Sequence, residues 1–392
     1  MFGFANFLLL ALFAAAVFDL IFALARGGGL RGALHGLWNT PHLLFGQQLA
    51  EWRLQLGRIL FAAGLAAYEI SVVFCNSMAR QNWAWVQGVM SPVLEWLAFL
   101  CFGAKILFGT RYTWRELLAG GALYFIARWV YFNSQNIWWI GIVVAVLAAK
   151  DVPMRRPLQV YFASDCAAMA VVLALHFAGI VAPDLTSERM GALRGTYGYG
   201  HPNTFGGLVF GLVLAYALLR AQKVRWVDCL LVFAVGVFLL VGPASRSAAL
   251  CTLALAVGLV FCRLRAGHSV PRWWPGTCAG MVGLTAAVSY LLPLLVIKVG
   301  PWNNDIGPAW LAKLDSLLTC RISLTWMAYR LLDVKIAGQV FNWPTVDNSF
   351  AFALFQFGPV VAALLGILFA AALLGHAKQG RRVEVCCLFA ML

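Results

Sequence analysis

Long stretches of apolar residues with few charges recur along almost the whole chain, and they constrain its fold more than any other feature of the sequence. The longer ones approach the roughly 20 residues that a helix needs to cross the hydrocarbon of a bilayer. Hydrophobic residues make up 62% of the 392 residues and charged ones only 11%, whereas soluble domains are about half apolar and a quarter charged. The sequence therefore predicts a polytopic membrane protein whose solvent is mainly lipid.

These stretches predict an all-α transmembrane bundle of about 11–12 helices, in a single integral membrane domain that spans residues 1–392. The stretch Ile137–Ala149 is short for a span, so it forms a tight hairpin or a re-entrant pair with the stretch before it. The last stretch begins at Val385 and stops with the chain, so we expect the natural protein to continue. The predicted segments are Phe4–Ala25, Ile59–Phe74, Val89–Phe108, Leu117–Phe132, Ile137–Ala149, Leu158–Ala182, Phe205–Leu219, Trp226–Val241, Ser247–Cys262, Thr277–Ile297, Phe350–Leu374 and the one from Val385.

Lys and Arg are concentrated in alternate loops, the first of which contains Arg26, Arg31, Arg53 and Arg58. These loops hold about twice as many basic residues as the loops between them, and basic loops face the cytoplasm. Because the alternation is unbroken, we expect the less basic loops to lie on the outer, extracytoplasmic face of the membrane. The outward loops are 75–88, 133–136, 183–204, 242–246 and the long loop 298–350.

The net charge of +14 has an ordinary explanation in a membrane protein, because cytoplasmic loops have a surplus of Lys and Arg beside anionic lipid headgroups. We therefore expect the lipid bilayer, and no nucleic acid, as a partner. The ten cysteines lack metal-ligand spacing, and most lie within the apolar stretches. Neither a metal site nor a bound cofactor is expected.

The outward loop 183–204 contains most of the run Arg189–Gly206 (RMGALRGTYGYGHPNTFG), which leads directly into an apolar segment. Pro202 suits the first turn of a helix, where its missing N–H costs nothing. His201 and Asn203 would then stand at the N-terminus of that helix, whose unpaired N–H groups and dipole favour anions. A glycine-rich turn with a capping Asn explains the same pattern without a ligand.

Three further polar sites fall in outward loops. Arg246 lies in the turn Gly242–Ser247, where an arginine is costly unless it lines a polar cavity or reaches the interface; snorkelling to the surface is the simpler alternative. In the run Leu314–Arg330 and just beyond it, the roughly helical spacing of Arg321, Leu324, Leu331 and Leu332 predicts an interfacial helix with Arg321 near its start. The tripeptide Asp347–Ser349 directly precedes an apolar segment, and capping of a helix N-terminus explains it without chemistry.

Their position on one face of the membrane gives these four sites a functional interpretation. Arginine stays charged in an apolar setting and binds phosphate oxygens through paired N–H donors, so outward arginines suit a lipid-linked diphosphate. His201 and Asp347 lie beside helix ends and are the candidates for proton transfer. The candidate substrate-binding residues are Arg189, Arg194, Asn203, Arg246, Arg321 and Asn348.

At these positions the sequence resembles the Wzy-type polysaccharide polymerases and O-antigen ligase-like membrane proteins, particularly those of Gram-positive capsule and exopolysaccharide loci. The likeness extends over about residues 155–380 and consists of short motifs in the family's order. Two positions depart from the family pattern, since Cys320 stands where a small residue is commoner and Phe350 where Tyr is common. The matching motifs are Arg194 with GYGHPNTFG at 198–206, Ser245-Arg246, LLTCR at 317–321, Ile336-Ala-Gly338 and Asp347-Asn348-Ser349-Phe350.

The resemblance implies a GT-C-like membrane fold and a metal-independent glycosyl transfer on the outer face of the membrane. The donor would be a growing glycan on undecaprenyl diphosphate, and the acceptor one undecaprenyl-diphosphate-linked repeat unit. Arg194, Arg246 and Arg321 would hold the diphosphates and stabilise the charge that develops on the leaving group, which makes Arg321 a catalytic candidate as well. Asp347, slightly preferred, or His201 would accept the proton of the attacking hydroxyl. A flippase and a chain-length regulator of the same pathway are implied as partners.

Two other functions fit the sequence. A ligase of the same architecture would transfer finished glycan to a terminal acceptor, and the sequence does not separate it from a polymerase. A transporter or flippase of lipid-linked oligosaccharides would have ionisable residues deep in the membrane and inverted repeats. No repeat is evident and the polar residues cluster on one side, which favours the enzyme. The ionisable residues weighed for such a pathway are Asp19, Glu69, Glu95, Arg128 and Asp165.

Overall fold

The computed structural model describes residues 2–27, 29–46, 51–136, 138–181, 187–189, 192–296, 307–318, 320–341, 346 and 348–391. This part of the chain is predominantly helical, which confirms the predicted all-α class, and each predicted apolar segment lies largely within a helix. The helices are α1 (Phe2–Ala25), α2 (Gly29–Asn39), α3 (Glu51–Cys75), α4 (Ala79–Asn82), α5 (Ser91–Phe108), α6 (Trp114–Ser134), α7 (Trp138–Ala149), α8 (Arg155–Phe177), α9 (Pro202–Arg220), α10 (Trp226–Val241), α11 (Arg246–Leu264), α12 (Trp274–Leu291), α13 (Ala309–Leu317), α14 (Arg321–Leu331), α15 (Ser349–Phe352), α16 (Gly358–Lys378) and α17 (Arg382–Met391).

Eight helical stretches in the described part of the chain are long and apolar enough to cross a membrane, as a polytopic membrane protein requires. They are fewer than the predicted 11–12 because α7, α10 and α17 have only 12, 16 and 10 residues. Helix α6 has 21 residues but contains Arg115, Glu116 and Arg128. The eight stretches are Ala5–Ala25, Glu51–Cys75, Val86–Phe108, Arg155–Phe177, Pro202–Arg220, Arg246–Leu264, Trp274–Leu295 and Ser349–Lys378.

Large apolar side chains lie exposed along these helices, among them Phe13 and Val257, each 69% exposed. In water every such side chain would forgo about 1.5–3 kcal/mol of burial free energy. In hydrocarbon it loses nothing, because lipid tails are as apolar as the side chain itself. The exposed apolar surface of the helices is therefore the surface expected to face lipid.

One compact unit comprises Met1–Gly121, Gly141–Gly267 and Cys386–Met391. In this first unit α3 packs closely against α5, and a Cβ at Gly64 would lie only 3.0 Å from the Cβ of Cys101. Phe61 and Phe102 also meet here, with their ring centroids 5.5 Å apart. Small residues permit this close approach of backbones, which is how helices gain packing energy where lipid removes the hydrophobic driving force.

The other compact unit comprises Ala122–Ile140 and His268–Val385. In this second unit α15 continues through a π-helical turn, Ala353–Phe357, into α16. Gly358 at the junction has a φ of 84°, a value that favours glycine. The backbone around Gly338 passes so close to this junction that neither glycine has room for a Cβ. The predicted segment Phe350–Leu374 is therefore interrupted, and the motif Ile336-Ala-Gly338 packs against the interruption.

Two pairs of very short antiparallel strands, both in the first unit, were not predicted from the sequence. The pair β1 (His42–Leu43) and β2 (Arg111–Tyr112) joins two loops. The pair β3 (Ser187–Arg189) and β4 (Ala192–Arg194) forms a hairpin within the predicted outward loop 183–204, with Ser187 opposite Arg194. Strands of two or three residues show no alternation that a sequence pattern could reveal.

Candidate functional site

The motif His201-Pro202-Asn203 begins α9 as the sequence predicted. His201 is the N-cap, with an extended backbone, and its Nδ1 accepts a hydrogen bond of 3.1 Å from the backbone N–H of Asn203. Pro202 occupies the first helical position, where no N–H is needed. His201 is exposed and Asn203 is half-buried, so the N-terminus of α9 is accessible from the loop side.

Arg194 connects three segments of the first unit. Its Nη2 donates hydrogen bonds to Oδ1 of Asn203 (3.0 Å) and to the carbonyl of Ala244 (3.1 Å). Only 6% of the residue is exposed. Hydrogen bonds to a charged donor are worth about 1.5–3 kcal/mol each, so Arg194 holds β4, the start of α9 and the turn before α11 together.

The turn before α11 touches α9 directly. Ser245 is 1% exposed, and its Oγ lies 3.3 Å from Oδ1 of Asn203. A Cβ at Gly206 would stand 2.6 Å from the Cβ of Ser245, so only glycine allows this approach. Ala244 adopts a φ of 48°, which is uncommon for a residue with a side chain. The turn is thus held in an unusual backbone conformation against the first turn of α9.

Two helix N-termini therefore meet at one place. Helix α9 begins at Pro202 and α11 begins at Arg246, and each has 19 residues. Each N-terminus carries roughly half a positive charge from the helix dipole, and the first backbone N–H groups of α9 are already bonded to His201. Arg246 is half-buried at the start of α11, two residues after Ala244, whose carbonyl accepts the hydrogen bond from Arg194. The predicted residues Arg194, His201, Asn203 and Arg246 are thus brought together in a region of positive potential, which suits an anion.

Aromatic side chains pack beside the junction of α9 and α11, and this packing was not predicted from the sequence. Tyr197 has a φ of 52°, which directs its ring onto Phe205, with the centroids 4.9 Å apart and the planes at 27°. Phe238 from α10 adjoins both rings. A Cβ at Gly242 would be 2.7 Å from the Tyr197 hydroxyl. The glycine-tyrosine alternation of the motif was the available signal, because each tyrosine packs where its neighbouring glycines allow a tight turn.

The second tyrosine of the motif anchors the loop to α3. Tyr199 is fully buried and pairs its backbone with Ser77, while the backbone N–H of Met78 donates to the carbonyl of Gly198 at 2.8 Å. Burial is the main cause that raises the pKa of the Tyr199 hydroxyl above its usual range, and the nearby carboxylate of Asp165 raises this pKa further. Tyr199 therefore remains a neutral phenol at ordinary pH and acts as an anchor.

Arg321 lies in the second unit, at the first residue of α14, so the predicted helix in the long loop is confirmed. Asp315 is completely buried, and its Oδ1 accepts from the backbone N–H groups of Ile322 (2.8 Å) and Ser323 (3.1 Å). Oδ2 accepts from the Ser323 hydroxyl at 2.9 Å. A carboxylate of the chain itself thus occupies the positive end of α14, while Arg321 is half-buried beside it.

The remaining predicted site residues are described only in part. Asn348 caps α15, since its Oδ1 accepts from the N–H groups of Phe350 (3.0 Å) and Ala351 (3.2 Å), which confirms the capping interpretation for this residue. Asp347, the preferred base, lies outside the described residues. Arg189 belongs to β3 by its backbone, and its side chain is likewise outside the described part.

Ionisable residues within the helices were the basis of the transporter alternative. Asp165 in α8 is completely buried and lies near Glu69 of α3, with Tyr161 one turn before it. Asp19 in α1 is 2% exposed and pairs with His42. Within the residues that the structure describes, no three His, Cys, Asp or Glu side chains are grouped as a metal site would need.

The fold and the site define a polytopic helical membrane protein with an anion-favouring junction of two helix N-termini. In the comparisons with known proteins, no family model, no curated protein and no solved structure matches the chain. The likeness to polysaccharide polymerases therefore stays a prediction that rests on the motifs.

Proposed function

We propose that the chain is a membrane-embedded glycosyltransferase that polymerises undecaprenyl-diphosphate-linked oligosaccharide repeat units on the outer face of a bacterial cytoplasmic membrane. The observation that supports it most is the junction of α9 and α11, where two helix N-termini meet beside Arg194 and Arg246. A diphosphate on a lipid is the anion such a junction suits, because it is doubly charged and has its lipid anchor in the bilayer.

The chemistry of the proposed reaction needs this positive potential. Attack of a sugar hydroxyl on the anomeric carbon breaks the bond to the diphosphate, and negative charge develops on the departing oxygen. Fixed donors and helix dipoles in a water-poor setting stabilise such charge without reorganising, which is commonly the largest contribution to catalysis. No metal is required, because arginine and the dipoles of α9 and α11 supply the positive charge.

The side chains of the first unit differ in the roles that we assign to them. Arg246 is half-buried at the helix start and is the proposed diphosphate contact. Arg194 is 6% exposed and already bonded to Asn203 and Ala244, so we assign it mainly to positioning. His201 accepts through Nδ1, which in a neutral imidazole leaves the proton on Nε2. This nitrogen donates, so His201 is proposed to bind a phosphate oxygen.

The remaining roles rest on the resemblance to the polymerase family. Asp347 stays the proposed base for the attacking hydroxyl, and Arg321 and Asn348 keep their proposed share in binding substrate. A flippase that delivers the repeat unit and a regulator of chain length are the proposed partners. A ligase would use the same diphosphate chemistry with a different acceptor, so the acceptor is what an experiment must vary.

The test is reconstitution of the purified full chain in liposomes with an undecaprenyl-diphosphate-linked oligosaccharide repeat unit. Wild-type protein is expected to produce a ladder of products. Arg246→Gln should slow it about 100-fold or more, the usual effect of removing one stabilising donor. Arg263→Gln, the same change in the last turn of the same helix, should stay within about two-fold of wild type.

Other outcomes separate the alternatives. Transfer of the glycan to a different acceptor without a ladder would replace the polymerase proposal with a ligase. Movement of the intact lipid-linked sugar across the bilayer without any transfer would identify a flippase. Equal activity of the Arg246→Gln and Arg263→Gln proteins would remove the junction of α9 and α11 from the mechanism.

A further inference from the structure

A cavity of about 460 Å³ lies between α1, α2 and the segment around β1, all within the first unit. It falls in the size range of sites that hold small molecules. Asp19, Phe22 and Arg26 line it from α1, Gly32 and Gly36 from α2, and His42 from β1. None of these residues belongs to the junction of α9 and α11, so the cavity is separate from the proposed catalytic site.

The acidic group of the cavity is already neutralised. Asp19 is 2% exposed, and its oxygens accept from Nε2 of His42 (3.2 Å) and from the backbone N–H of Gly46 (2.7 Å). Nδ1 of His42 lies 3.2 Å from the carbonyl of Thr40. Because both ring nitrogens of His42 face acceptors, the protonated ring is favoured, and in that form the pair has no net charge. The remaining charge of the cavity is the positive one of Arg26.

Arg26 is placed to hold an anion at the mouth of the cavity. It follows the last residue of the span Ala5–Ala25 and is exposed. Its guanidinium lies over the Phe22 ring, 4.3 Å from the centroid. The five N–H donors of a guanidinium lie in its plane and match the oxygens of a phosphate.

Helix α2 places the cavity at the level of the lipid headgroups. Its residues Leu30 (59%), Leu34 (38%) and Trp38 (41%) are exposed and recur every four positions, so they form one apolar outer face. Gly32 and Gly36 lie on the face that lines the cavity. A short helix with an exposed apolar face next to the end of a transmembrane span is typical of one lying in the membrane interface.

We propose that this cavity binds one anionic glycerophospholipid, with its phosphate on Arg26 and the upper part of an acyl chain between α1 and α2. The two helix glycines leave the space for the chain, since a Cβ at Gly32 or Gly36 would have no heavy atom within 4 Å. The basic loop that begins at Arg26 is the side on which anionic lipids attract Lys and Arg. The proposal is independent of the polymerase function.

Native mass spectrometry of the full chain in detergent, titrated with phosphatidylglycerol and phosphatidylcholine, tests the proposal. Wild-type protein is expected to bind one phosphatidylglycerol at least about five-fold more tightly than phosphatidylcholine, the range of one favourable charged contact. Arg26→Gln should reduce this preference to within about two-fold. Arg31→Gln removes an exposed charge of α2 that does not line the cavity, so it should keep the preference.

A second pair of variants tests the cavity itself. Gly36→Leu places a side chain in the open space and favours the helix, so the protein should fold but lose the bound lipid. Gly276→Leu in α12, also at an open helical position, is the control and should bind as wild type does. Unchanged binding by the Gly36→Leu protein would overturn the proposal. So would displacement of the lipid by equimolar inorganic phosphate, or equal affinity for the two lipids.

Discussion

The guanidinium of Arg194 donates a hydrogen bond of 3.0 Å to the side-chain oxygen of Asn203, and this contact joins a strand end to the first turn of a membrane helix. The same oxygen lies 3.3 Å from the hydroxyl of Ser245. Asn203 is therefore the common partner of the loop and of the turn before α11. Through it, the positive ends of α9 and α11 are held at one place.

The first prediction concerns this contact. Arg194→Gln and Asn203→Ala should each lower the free energy of unfolding by about 1–3 kcal/mol, because each leaves a buried polar partner unsatisfied. The double variant should lose less than the sum, with a coupling energy of about 0.5–3 kcal/mol. Unfolding in detergent micelles measures all three. Additive losses would show that the two side chains are not coupled, and Lys223→Gln, at an exposed position, controls for charge removal alone.

The second prediction compares two adjacent glycines of α9. A Cβ at Gly206 would stand 2.6 Å from the Cβ of Ser245, whereas one at Gly207 would meet nothing within 4 Å. Gly206→Ala should destabilise the protein by about 1–3 kcal/mol through overpacking. Gly207→Ala should stabilise it by about 0.5–1 kcal/mol, since alanine favours the helix. The melting temperatures of both variants provide the measurement, and equal shifts would contradict the close contact of α9 with the turn.

The third prediction tests the orientation of the chain. All ten cysteines fall in the described part of the chain and none of them is in a disulfide; of these Cys320 is the one that is exposed. The distribution of basic residues predicts that Cys320 faces outward. A maleimide that cannot cross membranes should therefore label intact cells producing the wild-type chain, and Cys320→Ser should abolish the labelling. Labelling of Cys320 only after cell lysis would reverse the predicted orientation.

The fourth prediction tests the packing of the last helix. The Sγ atoms of Cys262 in α11 and Cys386 in α17 are 3.6 Å apart, so a modest movement would allow a disulfide, whose S–S bond is about 2.05 Å. Oxidation with copper phenanthroline should link these two residues within one chain. Mass spectrometry of unreduced peptides identifies the link. Cys387→Ser should leave it intact and Cys386→Ser should remove it; a link from Cys262 to Cys387 would place α17 differently.

The fifth prediction follows from the His42–Asp19 pair. Burial lowers the pKa of His42, but the hydrogen bonds to Asp19 and Thr40 and the charge of Asp19 outweigh it, so the pKa lies above the usual 6.5. Because the pKa of His42 is raised in the folded protein, its protonated ring stabilises the fold fully below pH 6.5. This stabilisation is lost as the pH rises through the pKa that His42 has in the folded protein.

Thermal unfolding between pH 5.5 and 8.5 tests this sign. The wild-type melting temperature should fall relative to that of His42→Gln as the pH increases, because the variant has no imidazole to lose its proton. His35→Gln is the control, since His35 is exposed in α2 and does not line the cavity around Asp19. A wild-type advantage that increases with pH would show that His42 is neutral when it pairs with Asp19.

The fold was predictable where one local pattern was sufficient. The start of α9 at Pro202 follows from the residues of one turn, since proline suits that position and His201 can cap it. Helix α14 begins at Arg321, as the spacing in the long loop predicted. Its cap was not predicted, because Asp315 reaches the helix end from seven residues away along the chain.

The candidate site was only half predictable. Arg194, His201, Asn203 and Arg246 were each identified by type and by position at a helix end. These four residues come together because Gly206 lies against Ser245 and Tyr197 stacks on Phe205. Such contacts join different segments, so no local sequence pattern contains them. For the same reason the sequence did not show that Arg194, predicted as a ligand of diphosphate, is buried and donates hydrogen bonds to Asn203 and Ala244.

The sequence by itself determined that this chain is a helical membrane protein, because stretches of apolar residues can satisfy their backbone and their side chains in lipid only as helices. It also determined where several helices begin, because caps and prolines act within one turn. Tertiary structure alone decided which helix ends meet, where the predicted segment Phe350–Leu374 is interrupted and which charges are buried. These depend on close approaches between residues far apart in the chain, such as Arg194 and Ala244, and a small change of shape is enough to prevent them.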